Sequence, residues 1–246
     1  MLSKLIKTAV IAVALIVFIV PHTSAQERFE RAETTVGTIG LSLSNYGTIG
    51  KPDVRNNPEA GFSMRYPSNT GTEHLFEAGI WLGAFINNSE IRVSTSSVTN
   101  SAGFRTGIAG FEFTADREIR EEGENTGLGV SQQDLITDFS DKRLVIDNGN
   151  TFVPINGHTQ PLFADVHLES YNWGFPFTEN FSILRYDITN NSQIHSGNDA
   201  GFVWDSVYVG MYSDMVVRNV NSALDGGGAF FNKNGLGYID SLYTAY

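Results

Sequence analysis

Between positions 162 and 173 the side chains alternate without a break. Leu162, Ala164, Val166 and Leu168 fall at even positions, and Phe163, Asp165, His167 and Glu169 at odd ones. Successive side chains of a strand point to opposite faces, so this run makes a strand with one aliphatic face and one acidic face bearing a histidine. A 3.6-residue period does not sort these residues that way. The same alternation returns at Ile39-Gly40-Leu41-Ser42-Leu43, at Phe62-Ser63-Met64-Arg65-Tyr66, and over 181–189, where Leu184, Tyr186 and Ile188 share a face. Clusters of Asn, Gly, Ser and Pro separate the runs, as turns between strands require.

Other segments follow the same grammar. Phe111-Glu112-Phe113 opens a strand, 206–217 is rich in Val, Tyr and Met, and 230–231 and 236–239 are short final strands. The dense apolar run 75–86, LFEAGIWLGAFI, contains Gly79 and Gly83. These argue for a buried strand broken or bulged near a glycine rather than a helix. Asn87-Asn88-Ser89 then turns it into a Ser/Thr-rich strand over 91–98, making a hairpin. The charge run 116–125 and the polar stretch 190–198 read as solvated loops. The one helix expected is 132–139: Ser131 with Asp134 three residues on has the form of a capping box, and Leu135, Ile136 and Phe139 then share a face. The fold class is therefore all-β, a β-sandwich or jelly-roll-like pair of antiparallel sheets with one short helix near 132–139. No fixed-period repeat or long linker divides the chain. A lead-in over 26–36 precedes a single β-rich domain over 37–246. The last residues, Leu242-Tyr243-Thr244-Ala245-Tyr246, read as a strand in progress, so the chain is expected to be a truncated piece of a longer protein.

The first 25 residues have a different character. Lys4 and Lys7 precede an uncharged run from Thr8 to Val20, Pro21 ends it, and Thr23-Ser24-Ala25 are small. This is the order of a secretory signal peptide. The run is shorter than the roughly 20 residues that cross a bilayer. Export with cleavage after Ala25 is expected, with no stable membrane insertion afterwards. The sequence has no cysteine, which excludes disulfides, thiolate metal sites and Cys nucleophiles. An exported chain without disulfides fits the envelope or exterior of a bacterium. With 16 Lys and Arg against 27 Asp and Glu, the net charge is −11. Such a balance argues against a nucleic-acid partner, which needs a pool of cations to displace counterions.

Compact catalytic motifs are missing. There is no His-Glu-x-x-His, no Gly-x-Ser-x-Gly and no phosphate-binding glycine loop. Beyond position 25 the histidines are His74, His158, His167 and His195, none at ligand-like spacing from another. The one local cluster is Asp165, His167 and Glu169. Residues two apart on a strand point the same way about 6.5–7 Å apart, so the three share a face, either as a site or as a balanced polar surface. Tyr171, Trp173, Phe175 and Phe177 follow them and suit either stacking on sugar rings or filling a corner of the core. Asp205, Asp214, Asp225 and Asp240 lie among glycines and turns, as calcium ligands in extracellular β-proteins do, though no Asp-x-Asp-x-Asp-Gly loop is present. No cofactor is implied beyond such a calcium ion.

Several segments carry a resemblance when taken in order. They are Asn45-Tyr46-Gly47-Thr48-Ile49-Gly50, the run 73–84 (EHLFEAGIWLGA), Ser131-Gln132-Gln133-Asp134-Leu135 with Phe139-Ser140-Asp141, Ser170-Tyr171-Asn172-Trp173, and 208–214 (YVGMYSD). Together these resemble the N-terminal region of large secreted Bacteroidota-type proteins that commonly end in a type IX secretion sorting domain. The resemblance implies export to the outside or outer surface of a Gram-negative cell. Its marks are glycines and aromatics, so it implies no activity, and this chain carries no sorting domain. The expectation is a non-catalytic module of a secreted or cell-surface protein, serving structure, adhesion or glycan contact. The alternative is an extracellular hydrolase, or its accessory domain, acting on polysaccharide. The ligand-binding candidates are Asp165, His167, Glu169, Tyr171 and Trp173, and the metal candidates are Asp205, Asp214 and Asp225.

Overall fold

Period-two segments can bury their apolar faces only by stacking sheet on sheet. The computed structural model describes residues 29–50, 62–96, 112–147, 152–155, 157–219, 238–239 and 244–245, and in them antiparallel strands do this. One sheet contains β1 (Arg31–Glu33), β2 (Gly40–Ser44), β3 (Thr48–Gly50), β4 (Met64–Arg65), β5 (Thr72–Ile86), β6 (Glu90–Thr95) and β14 (Trp204–Asn219). Its path runs β1-β2-β3-β5-β14, with β4 bridging β2 and β5, and β6 against β5. The second sheet orders β13 (Ser182–Asn190), β12 (Ala164–Asn172), β9 (Gln133–Ser140) and β7 (Thr114–Ala115), with β8 (Arg120–Gly123) also on β9. Two ribbons stand apart: β10 (Val145–Asp147) with β11 (Phe152–Pro154), and β15 (Tyr238–Ile239) with β16 (Thr244–Ala245).

Inner-face side chains of both sheets form one core. Leu41, Leu43, Ile80, Leu82 and Ala84 come from the first sheet, and Leu135, Phe139, Ala164, Val166 and Leu168 from the second. Phe113 packs edge-on to Phe139, with ring centroids 5.3 Å apart. Burying each large side chain contributes about 1.5–3 kcal/mol. The hairpin β5–β6 turns through Asn87 and Asn88, both at positive φ, with the Ser89 N–H donating to the Ile86 carbonyl at 3.0 Å. Asparagine tolerates this left-handed turn, which matches the twist of paired strands.

The structure corrects several expectations. Residues 132–139 are not helical: they belong to β9, which pairs with β12 over eight residues and with β7 and β8 on its other edge. β9 is buried along nearly its whole length, on both faces, and such a strand loses its alternation. The capping-box residues serve the turn instead, where Asp134 accepts the Val130 and Ser131 N–H groups at 2.5 and 3.0 Å. The short helix lies elsewhere, at α1 (Ser192–His195), inside the stretch read as loop. Part of the charge run 116–125 pairs as β8. β5 is continuous, without a break at its glycines. Gly79 and Gly83 sit opposite Tyr212 and Tyr208 of β14, and Tyr212 stacks on Trp81 at 5.7 Å. Cross-strand aromatics over glycines compensate for the missing side chains. The register shifts fall toward the ends of β14 instead. Within the lead-in, Arg31–Glu33 pairs with β2 as a strand. The signal segment, Asp225, Asp240 and residues 230–231 lie outside the described residues.

Gly47 joins β2 to β3 at φ +76°, and a Cβ there would overlap the Phe139 ring. Gly47→Ala therefore combines left-handed strain with a core clash. The expected loss is about 1–3 kcal/mol in urea unfolding. An unchanged midpoint would show that this turn does not bear on the core.

Candidate functional site

The outer face of the second sheet collects the charges that the core cannot accept. Every second residue of β12 points there: Asp165, His167, Glu169 and Tyr171. The antiparallel register sets His167 between Asp138 of β9 and Asp187 of β13, and Glu169 between Ile136 and Arg185. His167 Nδ1 lies 2.6 Å from an Asp138 oxygen, and its Nε2 lies 3.2 Å from Glu169 Oε1. The Tyr171 hydroxyl donates to Glu169, whose same oxygen also accepts from Arg185 at 3.4 Å. Arg185 bonds Asp187 at 2.7 Å, and exposed Arg117 stands 3.8 Å from Asp138. The result is a chain of alternating donors and acceptors across three strands.

Protonation follows from these contacts. Burial works against a charged His167, but its bonds to Asp138 and Glu169 outweigh that and raise its pKa. The Tyr171 hydroxyl, opposed by partial burial and reinforced by His167 and Arg185, holds the Glu169 carboxyl below its usual range. An imidazole bonded to carboxylates through both nitrogens is favoured as the imidazolium, which has no lone pair for a proton or a metal. A carboxylate held ionised is likewise unsuited to general-acid work near neutral pH.

The expected trio separates. His167 and Glu169 stay together and gain Asp138, while Asp165 turns to α1 and its cap. There Asn191 Nδ2 donates at 2.5 Å and His195 Nε2 lies at 3.1 Å. Burial raises the Asp165 pKa, but the bonds from Asn191, His195 and Ser140 prevail and lower it. Tyr171 is buried against the face, with Trp173 at 6.4 Å and Phe181 a further 6.4 Å on. Beyond them Phe175 and Phe177 stack at 6.0 Å, and Phe177 is 81% exposed. Four of the five ligand-binding candidates, His167, Glu169, Tyr171 and Trp173, thus lead toward one corner, while Asp165 lies at the far end of the strand.

Of the metal candidates, Asp205 and Asp214 are among the described residues, and these two do not converge. Asp205 accepts both N–H groups of Asn88 at the tip of the β5–β6 hairpin, the side-chain one at 3.1 Å. Asp214 is nine residues along the same strand, a separation of about 30 Å at the usual rise. Among the described residues no three His, Cys, Asp or Glu side chains are grouped as ligands of one ion. No helix among them is long and apolar enough to cross a membrane.

A second carboxylate cluster escaped the sequence. Asp141, fully buried after β9, accepts from Ser94 Oγ of β6 at 2.5 Å and from the Leu162 and Ala164 N–H groups at 2.6 and 2.8 Å. His158 Nε2 touches its carbonyl at 2.6 Å. Glu112 accepts from Thr95 N and Oγ1 at 3.0 and 2.7 Å. Neighbouring residues of β6 thereby tie the first sheet to the second. Burial pushes the Asp141 carboxyl up, and pushes Glu112 up to about 7 against the bonds from Thr95. Two missed members of this face had a usable signal: Arg185 and Asp187 alternate with Leu184, Tyr186 and Ile188. Asp138 was hidden by the helical reading of 132–139.

Comparison of the chain with protein-family models, with curated proteins and with solved structures finds no match.

Glu112 and His167 set the same sign of pH dependence. Glu112 holds its proton up to about pH 7 when folded but loses it near 4.5 when unfolded, so stability falls as pH rises between those values. The effect is at most about 3 kcal/mol. His167, raised when folded, stabilises below 6.5, and that stabilisation is lost as pH rises through its folded value. Urea midpoints should therefore be higher near pH 5.5 than near pH 8, and Glu112→Gln should flatten most of the difference. A profile that rises toward pH 8 contradicts this assignment.

Proposed function

We propose that the chain is a non-catalytic β-sandwich module of an exported bacterial protein, displayed outside the cell or on its outer surface, where its aromatic corner contacts glycan. The observation that carries the reading is the state of the polar face. His167 is clamped by two carboxylates, and Glu169 is held ionised by Tyr171, His167 and Arg185. A face whose acids and base neutralise one another offers hydrogen bonds to a ligand rather than a proton at a reaction centre. A polysaccharide hydrolase needs one carboxyl kept protonated beside one kept ionised. On this face Asp165 and Glu169 are both shifted the same way, downward. The carboxyls shifted upward among the described residues, Glu112 and Asp141, are buried inside, beyond reach of a polymer.

Sugar recognition on a β-sheet rests on aromatic rings that stack on the apolar faces of the sugar, beside polar groups that bond its hydroxyls. Trp173 and Phe181 continue from Tyr171 as a run of rings at the end of β12, Tyr171 bonds Glu169, which also accepts from Arg185, and Phe175 and Phe177 stack on each other in the turn that follows. Exposed aromatic surface of this kind is costly to leave in water without a partner. Export rests on the Lys4/Lys7, apolar-run and Thr23-Ser24-Ala25 order, and a type IX route on the resemblance to secreted Bacteroidota-type proteins.

On a glycan array the purified chain should be retained, and Phe177→Ala and Trp173→Ala should each lower retention about two- to tenfold, the scale of one lost aromatic contact. Phe177→Ala should leave the thermal midpoint near its original place, since the side chain is mostly exposed. The chain should release no product from a broad glycan and peptide panel. Turnover that disappears in His167→Ala would defeat the proposal, as would retention indifferent to both aromatic substitutions.

A further inference from the structure

The long strand β14 lies at the edge of its sheet. It pairs with β5 along one side, and among the described residues no strand pairs with its other side. The ladder to β5 is uninterrupted from Ser206 to Asp214 and is broken by register shifts on both flanks. Gly210 is the midpoint of that span. No charge and no proline occurs from Ser206 to Ser213, so the two side-chain types that most often blunt an edge strand are missing there. Val207, Val209 and Met211 register with Ala84, Leu82 and Ile80, whose side chains are buried in the core. Yet these three are 48%, 60% and 50% exposed, and Tyr208 on the opposite face is 68% exposed. The apolar inner face of the sheet runs past its cover.

The sequence about Gly210 is close to a palindrome: Tyr208-Val209-Gly210-Met211-Tyr212 reads aromatic, aliphatic, glycine, aliphatic, aromatic from either end. A two-fold interface brings a surface against itself, so it requires this self-complementarity. We infer that two copies of the chain join edge to edge along β14, antiparallel, about a two-fold axis at Gly210. In that register Tyr208 faces the partner's Tyr212 on the outer face, and Val209 faces the partner's Met211 on the inner face. Aromatic and aliphatic cross-strand pairs of this kind stabilise a ladder. Asp214, the one acid of the span, meets the partner's Ser206. No acid faces an acid, a condition that matters for a chain of charge −11. The two first sheets become one continuous sheet, with backbone hydrogen bonds running from one β14 to the other across the seam.

The absence of native cysteine makes the test direct. A Cβ at Gly210 would meet nothing closer than Trp81 Cβ at 4.0 Å, so a cysteine fits there. Directly opposed residues of an antiparallel pair have Cα atoms about 4.5 or 5.5 Å apart, within disulfide span. Under mild oxidation Gly210→Cys should form a disulfide-linked dimer, whereas Val207→Cys, opposed to the partner's Ser213, should not. Sedimentation of the purified chain should show a dimer from micromolar concentration upward. Val209→Lys places a charge on the inner face of the seam and should raise the dissociation constant at least about tenfold, with an unchanged circular-dichroism melt. A chain that stays monomeric across that range overturns the proposal. So does Val207→Cys cross-linking as readily as Gly210→Cys, a result that stands even if the lysine variant fails to fold.

Discussion

The structure depends on the fact that a strand has two faces while a two-layer core can take only one from each sheet. β12 makes the point most plainly. Ala164, Val166 and Leu168 enter the core, and this forces Asp165, His167 and Glu169 to stand together on the outer face. The polar site is therefore a consequence of the core. Neighbouring strands obey the same rule, so Asp138, Arg185 and Asp187 arrive on that face in register with β12. Their charges then settle by local pairing. His167 lies between two carboxylates, and Glu169 among a phenol, an imidazolium and a guanidinium.

The two carboxylate clusters contrast because burial differs. On the outer face, donors within reach outweigh partial desolvation, and Asp165 and Glu169 are held as anions. Between the sheets, Glu112 and Asp141 also accept hydrogen bonds, yet burial dominates and both are pushed toward the neutral acid. The inner pair fastens Ser94 and Thr95 of β6 to the second sheet, a structural task. The outer set faces solvent beside exposed rings, which is where a ligand can reach.

Much of this was legible in the sequence wherever one face of a strand is wet. β12, β13 and the β5–β6 hairpin follow from alternation and from the Asn87-Asn88 turn. Legibility failed for β9, because nearly all of it is buried and apolar residues stand on both of its faces, which leaves Leu135, Ile136 and Phe139 at a spacing that also suits a helix. That error concealed Asp138. The pairing of Asp165 with His195 was also out of reach, since it depends on α1 folding back from 30 positions away. The aspartates of β14 looked like calcium ligands by composition, but a straight strand sets Asp205 and Asp214 far apart.

The central claim is that the polar face clamps the His167 imidazole between carboxylates that favour its charged form. Nitrogen-detected NMR of His167 across a pH titration tests it most directly. The account predicts a midpoint above 6.5, with both ring nitrogens protonated below it, and that Asp138→Asn brings the midpoint down. A midpoint below 6.5, unmoved by Asp138→Asn, would contradict it.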